Sequence, residues 1–113
     1  MEYIKFNNEA KGVLSGEAEL IEKADLDFVG ATLEEVKVEG KYVTLKIKNK
    51  KNTVTLQLDG ASIMNVKFSS GKQLIIQDME YADTEKSIFI TFALENHSDY
   101  RFNCGDIEIV DVE

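Results

Sequence analysis

Apolar and polar residues alternate strictly through two neighbouring stretches of the chain. In KYVTLKIK, residues 41–48, Val43, Leu45 and Ile47 fall on one side, with Tyr42, Thr44, Lys46 and Lys48 on the other. TVTLQLD, residues 53–59, repeats the pattern with Val54, Leu56 and Leu58. A period of two belongs to a strand with one buried face. The polar run Asn49-Lys50-Lys51-Asn52 between the stretches predicts an antiparallel hairpin with one wet face. Upstream, TLEEVKVE (32–39) keeps Val36 and Val38 in phase but not Leu33, which predicts a bulge near Glu34 and Glu35. Gly40 marks the turn that follows.

Downstream, Asp59-Gly60 turns into ASIMNVKF, where Met64, Val66 and Phe68 share a face, and Ser69-Ser70-Gly71-Lys72 reads as a loop. In QLIIQDMEY the in-phase positions are Ile75, Met79 and Tyr81, with Gln77 between them. SIFITFALE opposes Ile88, Ile90, Phe92 and Leu94 to Phe89, Thr91 and Ala93. Two apolar faces predict a central strand covered on both sides. Asn96-His97-Ser98-Asp99 is the next turn, followed by YRFNC, a break at Gly105-Asp106, and IEIVDV. The expected fold is mainly β: an antiparallel meander of about seven to eight strands forming a sandwich or a partly open barrel. At the N-terminus, EYIKF alternates like a first strand. Leu14, Ala18, Ile21 and Ala24 then recur near the helical period, with Ser15 placed to cap. They predict a short helix across roughly 15–23 that covers one opening or face of the sheet, although Lys23 to Phe28 alternates like a strand.

The 113 residues, 43% of them hydrophobic, fit one domain spanning 1–113 with a core of its own. Acidic residues number 21 against 13 basic, a formal net charge of −8. A field of that sign disfavours nucleic acid and anionic membranes and attracts a cationic partner, although it also serves solubility alone. Cys104 is the only cysteine, so no intrachain disulfide or CxxC pair is expected. The opening MEYIKFNNEAKGVLSG lacks a basic segment followed by an apolar run, and no apolar stretch approaches the ~20 residues of a membrane span. A reducing cytoplasm is the expected compartment.

Candidate chemistry is sparse. His97 stands alone in a predicted turn, and no spacing of Asp, Glu or Cys around it suggests a metal site or a triad. Cys104 alternates with Phe102 and reads as a small core residue. Acidic pairs recur at Asp25 and Asp27, Glu34 and Glu35, Asp78 and Glu80, and Asp106 and Glu108; in all but the adjacent Glu34 and Glu35, spacing by two puts both carboxylates on one strand face, usually a solvated one. No glycine-rich phosphate loop is present. The lysines at 46, 48, 50 and 51 form the one basic patch, best read as guarding a hairpin edge against pairing with another strand. These observations predict no catalytic residue, cofactor or metal.

Several stretches from Asp27 onward have a further likeness: DFVGATLEEVKVEGKYVTLKIK, VTLQLDGASIMNVKF, IFITFALE and YRFNCGDIEIV. Their order resembles small bacterial β-rich families that include predicted immunity proteins of polymorphic toxin systems. Those families often open with His-Asp, where this chain has Phe28 followed by Val29-Gly30, so no functional residue is carried over. The net charge of −8, the missing catalytic set, the small size and this resemblance together predict a non-catalytic protein-binding domain, most concretely an immunity-type inhibitor of a cationic toxin. Its recognition surface would be carboxylates on wet faces and loops, chiefly Asp78, Glu80, Asp83, Glu85, Asp106 and Glu108. The alternative is a carrier of apolar small molecules with a pocket inside a β-barrel. A long apolar edge strand leaves homodimerisation open as well.

Overall fold

The computed structural model describes residues 2–65, 73–95 and 98–113. Val66 and Phe68, expected to share a face with Met64, the loop 69–72 and the turn at Asn96-His97 lie outside the described residues. Two short strands, β1 (Ile4–Lys5) and β2 (Leu14–Gly16), flank a 3-10 helix at Asn8–Val13, and α1 follows at Ala18–Lys23. Eight strands come after: β3 (Thr32–Glu39), β4 (Tyr42–Lys48), β5 (Thr53–Asp59), β6 (Ser62–Asn65), β7 (Ile76–Asp83), β8 (Ile88–Leu94), β9 (Asp99–Cys104) and β10 (Asp106–Val112). The first sheet has the order β1-β7-β8-β9-β6 and the second β2-β10-β5-β4-β3. Their inner faces close on one hydrophobic cluster, making a two-sheet sandwich.

The predicted hairpin forms the middle of the second sheet. Val43, Leu45, Ile47, Val54, Leu56 and Leu58 are all buried, and Leu45 pairs across with Leu56. The slip inferred at Glu34 is present, since the β3–β4 register shifts between Leu33 and Glu35. The chain is not a simple meander, however. Strand β6 leaves β5 for the far edge of the first sheet, β10 returns beside β5, and β2 runs parallel to β10. The sandwich is also stitched along one margin. Leu33 N donates to Leu74 O at 2.8 Å, Ile76 N to Ala31 O at 2.9 Å and Gly30 N to Ile76 O at 2.7 Å. A bulge between Ile76 and Asp78 then lets the same β7 edge change partner and receive β1. That bulge makes Ile76, rather than Ile75, the buried position in phase with Met79 and Tyr81.

Other expectations are corrected. The helix begins at Ala18, and Ser15 does not cap it. Residues 14–16 pair instead with Ile107–Ile109, and the Ser15 hydroxyl donates to Asp106 at 2.6 Å. A Cβ at Gly16 would lie 2.7 Å from the Ile109 carbonyl oxygen, and its φ of +116° suits glycine, so helix cannot run through it. Helix α1 packs along β10 and β2 through half-buried Leu20 and Ile21. Residues 24–28 alternate in burial, with Ala24, Leu26 and Phe28 inside, but they join no sheet. Strand β8 is central but covered on one side only: Phe89, Thr91 and Ala93 are half-exposed. Met64 is exposed on the edge strand β6. The lysine-bearing hairpin guards no edge, because β3 and β10 flank it; Lys46 lies opposite Glu35 instead.

Candidate functional site

The outer face of the first sheet holds a trough. On β8 its floor is Thr91 and Ala93, whose side chains are short. Register sets longer side chains on either side: Glu80 and Arg101 flank Thr91, and Asp78 and Asp99 flank Ala93. Tyr3, 42% exposed, joins the wall from the N-terminal arm, and the open hollow between these side chains measures about 520 Å³. Its walls stand two strand spacings apart, roughly 10 Å, which is the width of one extended chain with its side chains.

Three carboxylates share this trough with one guanidinium. Arg101 reaches Asp99 at 3.9 Å. Lys5, brought alongside by the β1–β7 pairing, bonds its ammonium to Asp78 from the rim. That bond, reinforced by the charges of Asp78 and Glu80, holds the Lys5 ammonium above the usual lysine range despite an opposing effect of burial. The Glu80 carboxylate accepts no hydrogen bond and makes no ion pair among the described residues, although its charge is felt at Lys5. The trough is thus a place where an incoming cation would find a carboxylate not already bonded to one.

The six carboxylates named from the sequence do not form one surface. Asp78 and Glu80 lie side by side in the trough. Asp83 is exposed at the end of β7, and Glu85 is exposed in the turn closed by Thr84 N donating to Ser87 O. Asp106 and Glu108 lie on the outer face of the second sheet, on the other side of the sandwich. Asp106 sits across from Asp59, which accepts from Gln57 Nε2 at 2.7 Å. Sequence reading missed Tyr3, Lys5, Thr91, Ala93, Asp99 and Arg101. The alternation of β8 and β9 marks Thr91, Ala93, Asp99 and Arg101 as outward, but nothing in it reveals which strands lie adjacent.

Asp25 is corrected from a surface residue to the anchor of a polar latch. Its N–H donates to Asn52 Oδ1 at 2.7 Å, and its carbonyl accepts from Asn49 Nδ2 at 2.9 Å and Asn52 Nδ2 at 3.2 Å. Its carboxylate accepts from Asp27 N at 2.9 Å and Asn8 Nδ2 at 3.2 Å, and meets Lys51 at 3.2 Å. The Asp27 N–H above all, with Asn8 and Lys51 helping against the opposing effect of burial, holds the carboxyl below the usual aspartate range. The latch ties the unpaired segment 24–28 to the β4–β5 turn.

Cys104 is buried in the core, where desolvation pushes its thiol up to about 12. It is a neutral packing group there. His97 lies outside the described residues. Among the described residues no group of three or more His, Cys, Asp or Glu is arranged to hold a metal. Between the sheets the space is occupied by side chains, Tyr100, Phe92, Phe102, Leu45 and Leu56 among them, all at 0% exposure. Architecture and site together define a two-sheet β-sandwich with an acidic trough on one outer face. No known family, curated protein or solved structure matches the chain.

Proposed function

We propose that the chain is a non-catalytic domain that binds a cationic protein, acting as an immunity-type inhibitor acts on a basic toxin. The observation that carries this reading is the trough, a concave outer surface in which the Glu80 carboxylate makes no ion pair among the described residues. The net charge of −8 supports it, because opposite fields steer two proteins together and raise their association rate. A filled core gives the interior little room for an apolar ligand, and the 520 Å³ hollow is open and walled by charged groups. Recognition would therefore take place on the surface. Affinity capture with the intact chain in its native host, followed by identification of the partner, tests the reading. The expected partner is a protein with a basic surface whose activity falls when the chain is added. A neutral or acidic partner, or a basic one whose activity is indifferent to the chain, contradicts it.

A further inference from the structure

The N-terminal strand already shows the trough engaging a cation. Strand β1 is two residues long and exposed at both, and it hangs from Phe6, which is buried against Phe28 and Tyr81. Phe6 N donates to Met79 O at 2.8 Å, so the arm is held at its base. From this arm Lys5 bonds Asp78, while Glu80, two residues along the same face, stays without an ion pair among the described residues. Carboxylates at i and i+2 on one strand lie roughly 7 Å apart, within reach of successive basic side chains or of one arginine set between them. A long side chain laid over Thr91 and Ala93 meets no bulky group on the floor, and Tyr3 offers it an aromatic face.

We infer that the trough over β8 is the docking groove for an extended basic segment of the partner, and that Lys5 is an internal cation which this segment displaces from Asp78. The inference rests on the cationic-partner reading above and adds its site and its competitor. Two consequences separate it from attraction by bulk charge. Removing Lys5 frees a carboxylate and strengthens binding by more than the added negative charge does elsewhere. Reversing Glu80 weakens binding far more than the same reversal on the opposite face, where Glu108 lies on β10.

The test is an NMR titration of the intact chain with a synthetic hexa-arginine peptide at low salt. Lys5→Gln, Glu80→Lys and Glu108→Lys are compared with wild type, and Lys86→Gln, in the β7–β8 turn, serves as the charge-matched control for Lys5→Gln. Shifts are expected at the amides of Thr91, Ala93 and Arg101. Lys5→Gln should bind roughly two- to fivefold more tightly than Lys86→Gln, the scale of one exposed ion pair. Glu80→Lys should lose about tenfold, and Glu108→Lys a small fraction of that. Shifts spread over both sheets, equal losses in the two reversals, or no gain from Lys5→Gln over its control would overturn the inference. Those results would leave a captured basic partner standing. An acidic partner in the capture experiment would instead remove the parent reading, whatever the peptide does.

Discussion

The Cys104 thiol faces the core from β9, and with its pKa near 12 it stays protonated through the physiological range. A disulfide-exchange reagent at pH 8 should leave the folded protein unlabelled and modify this thiol only as the chain unfolds. Labelling of native protein at the rate of a free thiol would contradict the burial. Asp25 titrates the other way. Its folded pKa lies below the ordinary value of about 3.9, so its contribution to stability is complete above that pH and is lost as pH falls through the folded value. Urea midpoints measured from pH 6 down to pH 2 should therefore fall more steeply for wild type than for Asp25→Asn. Parallel curves would show that the carboxylate is not held by the latch. These two residues were unequally legible in the sequence. Alternation with Phe102 marks Cys104 as internal, whereas Asp25 and Asp27 have the spacing of any solvated pair. The asparagines that anchor Asp25 come from residues 8, 49 and 52, far from it along the chain.

The β4–β5 hairpin was readable because each strand alternates over a full seven residues and the turn between them is wholly polar. Leu45 and Leu56 face each other at its centre with no solvent exposure. Replacing either by alanine should cost about 2–5 kcal/mol through lost burial and the cavity left behind. Denaturant unfolding measures this, and a loss under about 0.5 kcal/mol, the range of surface substitutions, would contradict the packing. Bulges show the limit of the same signal. The one at Glu34 announces itself because Leu33 falls out of phase with Val36. The one beside Gln77 is silent, since Ile75 and Ile76 are both apolar and either could face the core. Apolar residues at the margins need not be buried at all: Ile4 and Met64 are exposed on the edge strands β1 and β6. Ser15 fits the composition of a cap, but a parallel pairing with β10 claims its backbone first.

At the scale of the whole molecule, composition conveys the sign of the field but not its shape. The trough gathers side chains from residues 3–5, 78–80, 91–93 and 99–101, and only the strand order β1-β7-β8-β9 brings them together. The same order sends Asp106 and Glu108 to the opposite face, which divides a set of carboxylates that looks uniform along the chain. If recognition is electrostatic and passes through the trough, its kinetics should carry both properties. The most direct measurement is stopped-flow association with the captured basic partner across a range of salt concentrations, for wild type and for the double reversal Asp78→Lys/Glu80→Lys. The wild-type on-rate should fall on the order of tenfold or more as the screening length shrinks from about 10 Å to about 3 Å. The reversed chain should start slower at low salt and depend less on salt, and its melting temperature should fall only modestly, by the scale of the lost Lys5–Asp78 pair. An on-rate indifferent to salt, or a reversed chain that associates as fast as wild type, would contradict the account.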